Sequence, residues 1–482
     1  MARATSLYVC QSCGAQTRQF FGRCSSCGNW NTLVEQRAAP TDTRRRRPVA
    51  AATEAEIPAA PRRSEPIASV GDRPLQRLCS GYSELDRVLG GGLVPGSLVL
   101  LGGDPGIGKS TLLLQSAQAM AARHSLLYVS AEESAQQVKL RWRRLAEQQG
   151  ELPALVEAES AGCGLQLLAE TDLELVLQEL EALRPAVAVI DSIQALHDAE
   201  LNSAPGSVTQ VRECAAALAR IAKRQNTALL LVGHVTKEGM LAGPKVLEHL
   251  VDAVLTFEGD RFASHRLLRA VKNRFGATHE LGVFEMRGQG LAEVLNPSEL
   301  FLGGDEPSAG TATIVACEGT RPLVVELQAL VSTTSYASPR RTATGIGTNR
   351  LHQILAVLEK HLGLPLSRFD CYLAVAGGLE VEEPAADLGV AAAVVASYRD
   401  LTLPPGTVLI GELGLGGQLR PVAQLEQRLQ EAVRLGFRRA VVPKGSGLGR
   451  LAAGLDLQLL EAGGVAEALV AALGVNPADD RA

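Results

Sequence analysis

Between about residue 75 and residue 300, short apolar runs alternate with longer amphipathic stretches. The runs are Ser97–Gly103 (SLVLLGG), Ser125–Glu133 (SLLYVSAEE), Ala186–Ser192 (AVAVIDS), Thr227–His234 (TALLLVGH) and Val251–Gly259 (VDAVLTFEG). Strands of this kind, separated by helical stretches, predict an α/β unit built on a mostly parallel sheet. The pattern breaks on either side. Residues 35–68 are rich in Ala, Pro and Arg and read as a linker, and the run Arg44–Arg47 inside it either docks on nucleic acid or is simply solvated. Gly303, Gly304, Asp305, Glu306 and Pro307 form a turn-rich seam, after which a further unit carries its own alternating elements, and Asn476–Ala482 reads as a frayed tail. The expected division is therefore 1–34, a linker at 35–68, 69–300 and 308–475, with no internal repeat.

A chain of 482 residues exceeds the usual size of one hydrophobic core, which agrees with several domains. With 46% hydrophobic and 21% charged residues it has ample apolar surface to bury. A net charge of −5 excludes a generally basic nucleic-acid coat, so any contact with nucleic acid is local. No apolar run approaches roughly 18 to 20 residues and no signal-peptide pattern opens the chain, so the expectation is a cytoplasmic protein with no membrane partner.

Of nine cysteines, Cys10, Cys13, Cys24 and Cys27 form a C-x2-C-x10-C-x2-C pattern, with Gly14 and Gly28 directly after each pair. Two intervening residues let a tight knuckle aim both thiolates at one ion, and the glycine lets the chain leave the knuckle. Four thiolates satisfy tetrahedral Zn2+, predicting a small C4 zinc ribbon whose folding depends on the metal. A redox dithiol would need one pair in a βαβ context. The other five cysteines, Cys79, Cys163, Cys214, Cys317 and Cys371, are scattered singly and make a poor disulfide framework.

Gly103, Asp104, Pro105, Gly106, Ile107, Gly108, Lys109 and Ser110 match G-x4-G-K-[ST] between a strand and a helix that opens at Thr111. Such glycines let backbone N–H groups wrap phosphates, the lysine reaches the β/γ-phosphates and the serine hydroxyl ligates Mg2+, so ATP with Mg2+ is the expected cofactor pair. Asp191 ends a buried-strand run, where a Mg2+ carboxylate belongs. Glu132 and Glu133 lie just past another strand. One of them can position the attacking water, with Glu132 preferred, and both can instead be ordinary first-turn acids of the next helix. His234, at a strand end, is either a γ-phosphate sensor or a hydrogen-bonded structural residue.

Together SGYSELDRVLGGGLVPGS, GDPGIGKST, YVSAEES, VIDSIQ, GHVTKEG with AGPKVLEH, and VKNRFG resemble the bacterial RadA/Sms family over essentially the whole chain. The most specific element is Lys272-Asn273-Arg274-Phe275-Gly276. The resemblance implies a RecA-like P-loop ATPase core behind the zinc ribbon. It further implies a homo-oligomeric, hexameric ring that loads on single-stranded and branched DNA and drives branch migration with the RecA recombinase in homologous recombination and DNA repair. Lys272 and Arg274 are similar to the trans-acting basic residues of ring ATPases. Gly206, Ser207, Gln210, Arg212, Thr236, Lys237, Glu238, Gly239 and Lys245 fall where RecA-like folds present DNA-facing loops; solvated loops or subunit contacts are the alternative.

Residues from about 311 resemble the proteolytic domain of Lon (ribosomal S5 domain 2-like, α+β), through ELQALV, GLEVEEPAADLGVAAAVVAS and GELGLGGQLRPVAQLEQRLQEAVRLG. Lon-type peptidases use a Ser–Lys dyad. Here the serine position falls on Ala385 and the lysine position on Glu426, so peptidase activity is not expected unless the alignment slips to Ser397 and Lys444. The competing functions are a nucleotide-switched scaffold ATPase, which needs neither ribbon nor DNA loops, and a replicative-type helicase, which usually carries a helical N-terminal domain.

Overall fold

The computed structural model describes residues 6–10, 16–17, 19, 21–25, 28–30, 32–37, 76–149, 164–233, 244–259, 265–302, 308–336, 338–445 and 456–474. The chain divides into two compact units, the first comprising 1–278 with 284–293 and the second 279–283 with 294–482. No helix among the described residues is long and apolar enough to cross a membrane.

Near the N-terminus, β1 (Ser6–Cys10), β2 (Gln16–Thr17) and β3 (Leu33–Arg37) form a three-stranded sheet in the order β2-β1-β3. The first unit then runs through α1 (Ser83–Leu89), β4 (Leu98–Gly103), α2 (Lys109–Ala121), β5 (Ser125–Ser130), α3 (Ala135–Gln149), β6 (Gly164–Ala169), α4 (Leu173–Leu183) and β7 (Val187–Asp191). It continues through α5 (Val208–Gln225), β8 (Ala228–Val232), α6 (Pro244–Leu250), β9 (Ala253–Glu258), β10 (His265–Asn273), β11 (Leu281–Arg287) from residue 284 on, and β12 (Gly290–Glu293).

Nine strands pair in the order β12-β11-β10-β9-β4-β8-β7-β5-β6. The block from β9 to β6 is parallel, and β10 runs antiparallel to β9. Central strands such as β4 and β8 are buried throughout, as near-continuous apolar runs require when helices cover both faces. Alternate residues of these strands serve different layers. Val99, Leu101, Tyr128 and Leu230 pack with α1, α2 and α3, whereas Leu98, Leu100, Val129 and Leu229 pack with α4 and α5. Helix α5 shows why such segments are helical: Val211, Cys214, Ala215, Leu218 and Ala222 repeat on one buried face. The Ser207 side chain caps its start, and Asn226 in the left-handed region ends it behind Lys223 and Arg224.

The second unit contains α7 (Ser298–Phe301), β13 (Thr311–Glu318), β14 (Arg321–Thr333), β15 (Arg341–Thr344), α8 (Thr348–Leu362), β16 (Phe369–Val375) and α9 (Asp387–Arg399). After these come β17 (Thr407–Leu409), β18 (Glu412–Leu413), β19 (Leu419–Arg420), α10 (Leu425–Arg434), β20 (Arg439–Pro443), β21 (Gln458–Ala462) and α11 (Val465–Leu473). Its mixed seven-stranded sheet has the order β15-β16-β14-β13-β17-β20-β21. From Asp387 to Ala396, α9 is buried on every side. Gly389 permits that depth, because a Cβ there would stand 2.0 Å from Cγ2 of Ile314.

Candidate functional site

The buried run of β4 breaks at Gly103, whose φ of 150° and 2.5 Å spacing from a hypothetical Cβ to the Phe257 carbonyl oxygen leave room for glycine alone. Asp104, Pro105 and Gly106 are the exposed tip of the turn, and buried Ile107 anchors it. Gly108, at φ 116°, directly precedes α2, and a Cβ there would come within 2.8 Å of the Met286 side chain. The result is a strand, a tight loop and a helix N-terminus, with Lys109, Ser110 and Thr111 in the first turn.

Lys109 is 4% exposed and its ammonium donates to the carbonyl oxygens of Gly103 (2.7 Å) and Asp104 (2.9 Å). Burial pushes its pKa down, opposed by the carboxylates of Asp191, Asp104 and Glu132. Asp191 closes β7 in register with Ser130 of β5. Its carboxylate accepts from the Tyr128 hydroxyl at 2.6 Å and from the Ser110 hydroxyl. Burial raises the Asp191 pKa, and these two hydrogen bonds work against the rise. A hydroxyl and a carboxylate therefore meet beside the lysine, the oxygen donor set that suits Mg2+ with phosphate.

The two glutamates part company. Glu133 binds Arg141 of α3 (Nη2 to Oε1, 2.5 Å), whereas Glu132 accepts a hydrogen bond from the hydroxyl of Ser192 and acts on Lys109; the charges of both bear on Asp191. The structure thus brings Lys109, Ser110, Asp191 and Glu132 together. It adds two residues the sequence reading had not singled out, Tyr128 and Ser192; a tyrosine amid the apolar residues of β5 and a serine directly after the terminal acid of β7 were the available signals. His234 lies outside the described residues.

Residues 13–240 match the family model described as AAA domain, and residues 350–446 match that of subunit ChlI of Mg-chelatase. The DNA repair protein RadA of Synechocystis sp. is 56% identical over 99% of this chain and 96% of its own length. That of Bacillus subtilis is 46% identical over 98% of this chain and 100% of its own. The chain belongs to the RadA family of DNA repair proteins. Among solved structures, the RadB recombinase aligns with 45% of the chain and 99% of its own at 24% identity and a TM-score of 0.36. A KaiC-like protein from Pyrococcus horikoshii aligns with 46% and 100% at 20% identity and the same TM-score. With its AAA-domain match and the glycine loop between β4 and α2 of a largely parallel sheet, the first unit of this RadA-family chain is a P-loop ATPase core.

The basic run of this RadA-family chain lies at the other end of the sheet. Asn273 pairs with Ala253 at the start of β9, while Gly103 of the phosphate loop pairs with Phe257 near its end. Those four residue steps, at about 3.3 Å each, separate them by roughly 13 Å along the strand direction. There the Lys272 ammonium caps the end of α6 by donating to the carbonyls of Glu248 and Val251, the latter at 2.8 Å. Burial lowers its pKa, with Arg274 nearby adding to the effect. Arg274 is half exposed and pairs with Asp252 at 3.0 Å, and Asp252 also accepts from the Leu98 amide at 3.0 Å, where β4 begins. Asn273 reaches the Val88 carbonyl and Phe275 accepts from Arg77, so the run is pinned to α1.

Of the residues expected to face DNA, Gln210 turns inward. It is 1% exposed and bonds Asp198 and Ser203, because a buried carboxamide takes its partners from the backbone of the loop folded over it. Arg212 pairs with Glu213 at 2.8 Å, and Gly206 adopts φ 77° just ahead of the Ser207 cap. Thr236, Lys237, Glu238 and Gly239 lie outside the described residues, as does the side chain of Lys245.

In the N-terminal segment, Cys10 and Cys24 are buried side by side with Leu33, at 0% and 2% exposure. Gly28 turns at φ 75° and its amide returns to the Cys24 carbonyl at 2.9 Å, closing a tight turn after Cys24; among the described residues no group of three or more His, Cys, Asp or Glu side chains could hold a metal ion. Cys13 and Cys27 lie outside the described residues.

In the second unit, Ala385 is buried in a 3-10 turn (Pro384–Ala386) and Glu426 is exposed in the first turn of α10. Around them stands an ion pair instead: Arg428 grips Glu383 through two contacts of 2.6 and 2.5 Å. The alternative residues go to separate partners, Ser397 to the Val331 amide (2.9 Å) and Lys444 to Glu467 (2.5 Å).

Proposed function

We propose that this chain is a DNA-dependent ATPase that moves on single-stranded and branched DNA as a hexameric ring and promotes branch migration beside the RecA recombinase. The observation that carries the reading is the placement of chemistry on one sheet. Lys109, Ser110, Asp191 and Glu132 gather at the carboxyl edge of the parallel strands, and Lys272 and Arg274 occupy the opposite edge. A cation roughly 13 Å further along the strands does not serve its own phosphate loop, so its use in hydrolysis requires a neighbouring subunit.

Lys109 exchanges its two carbonyl partners for phosphate oxygens, while the loop amides and the start of α2 hold the rest of the phosphate chain. Ser110 and Asp191 would hold Mg2+, which neutralises charge on the phosphate oxygens when bound. Glu132 accepts the proton of the attacking water and orients it. In the ribbon Cys10, Cys13, Cys24 and Cys27 would hold Zn2+ as thiolates, in a structural role. The second unit serves as a non-proteolytic scaffold, since neither the methyl of Ala385 nor the carboxylate of Glu426 does a dyad's work. In the full chain we assign 1–34 to the ribbon, 35–68 to the linker, 69–300 to the ATPase domain and 308–475 to the scaffold.

A nucleotide-switched scaffold is the second reading, favoured by the engagement of Lys272 and Arg274 with their own chain. ATPase rate and oligomeric state, with and without single-stranded DNA, separate the two for wild type and Arg274→Ala. Stimulation by DNA, and loss of hydrolysis with rings intact in the variant, support the motor. A monomer that hydrolyses ATP at an unchanged rate in either form refutes it.

A further inference from the structure

We infer that Ser192 is a positioning residue for ATP hydrolysis, holding Glu132 on the phosphate side of the β5–β7 edge. The inference rests on Glu132 as the water-orienting carboxylate and names the group that makes it so.

Ser192 follows the last residue of β7 and is fully buried. The ladder between β5 and β7 does not stop at Ser130 and Asp191. The Ala131 amide donates to the Asp191 carbonyl at 2.7 Å, one rung beyond the strands, so the backbones entering Glu132 and Ser192 are held opposite each other. On the other flank the Ile193 amide donates to the Val232 carbonyl at 3.0 Å, which stops this segment from following any movement of the glutamate. The serine therefore stands on a backbone fixed from both sides.

A buried serine hydroxyl has one proton to give. Here it goes to Oε1 of Glu132. The turn carrying Glu132 is clamped separately, because Ser130 donates to the Glu133 carbonyl at 2.7 Å and accepts from the Glu133 amide at 3.3 Å. Ser130 thus fixes the backbone of the turn and Ser192 selects the side-chain rotamer. Selection matters at this point because the next residue, an identical glutamate, takes a different partner, Arg141. A glutamate side chain left to itself samples several rotamers, and displacement of a reacting group by about 1 Å can lower a rate by 10²-fold. Alanine at 192 would keep the backbone rungs and remove only the donor.

The test is a double-mutant cycle in the full-length protein: S192A, E132Q and the double variant, with S192C as a shape-preserving weak donor. S192A is expected to lower kcat for ATP by roughly 10- to 100-fold with KM and the affinity for a fluorescent ATP analogue unchanged, and S192C to fall between S192A and wild type. In the E132Q background, S192A is expected to change the residual single-turnover rate by less than about twofold, since a residue acting through Glu132 has nothing left to position. If E132Q stops hydrolysis while S192A and S192C turn over like wild type, the inference fails and the reading of Glu132 stands. If E132Q itself turns over like wild type, the reading of Glu132 fails and takes the inference with it. An undiminished S192A effect in the E132Q background would overturn the inference in favour of a role elsewhere in the fold. Should S192A not fold, the same cycle run with S192C decides.

Discussion

Replacing Glu383 by alanine tests how the second unit is held beside the 3-10 turn Pro384–Ala386. Arg428 is 2% exposed and has four acceptors: Glu383 through both oxygens, the Val315 carbonyl at 2.5 Å and the Ala423 carbonyl at 3.0 Å. Burial presses its pKa down, and the Glu383 hydrogen bonds and charge outweigh that, leaving it above the ordinary arginine value. Glu383 also takes the Cys317 amide at 2.6 Å, so its removal strands one buried cation and one backbone donor. Breaking a buried pair from one side costs about 3–5 kcal/mol. With Glu383 about one-fifth exposed, water reaches the site and the lower half of that range applies. At about 2–4 °C per kcal/mol for a unit of this size, Glu383→Ala should lower the melting temperature of the second unit by roughly 6–15 °C in scanning calorimetry of the whole chain. Arg428→Met should cost less, and the double variant less than the sum of the two, because an apolar pair leaves no charge behind. A shift below about 2 °C for Glu383→Ala, or strict additivity in the double variant, would show that the pair is not a structural clamp.

Three further outcomes follow from the same geometry. Lys109→Ala should reduce ATP hydrolysis by about 10²-fold or more, read as phosphate release, with circular dichroism unchanged; near-normal turnover would displace the lysine from its role. Gly90→Ala should destabilise the first unit by about 1–3 kcal/mol in urea titration, since φ is 82° and the new Cβ would stand 2.8 Å from the Gly276 Cα; a neutral variant would mean that this backbone contact is loose. Chelation should release one zinc per chain and unfold the ribbon alone, while Cys24→Ser should abolish zinc content; a metal-free wild type with an ordered ribbon would refute the structural role.

The glycine loop between β4 and α2 and the acid that ends β7 were legible because their signals are local. Gly103, Gly106 and Gly108 take the positive φ that a phosphate-cradling loop demands, and Asp191 ends a run of apolar residues that only a doubly covered strand tolerates. What escaped the sequence depends on partners far along the chain. Lys272 and Arg274 look like free basic residues until Glu248, Val251 and Asp252 are folded beneath them, and Asn273 finds Val88 from 185 residues away. Gln210 passes for a surface polar group because nothing in its neighbours announces that the loop from Asp198 to Ser203 closes over it. Helix α9 shows no amphipathic stripe, since it is surrounded on all sides, so periodicity says nothing about which of its faces meets the sheet. The adjacent glutamates are alike in composition, and partners such as Ser192 for one and Arg141 for the other tell them apart.

An ammonium that already rests on two carbonyl oxygens has shed its hydration while the chain folded. If Lys109 serves a phosphate as we propose, it would trade one set of oxygens for another on nucleotide binding, so little of the binding free energy would go into drying the ammonium. The same two carbonyls would receive it again once the phosphate left.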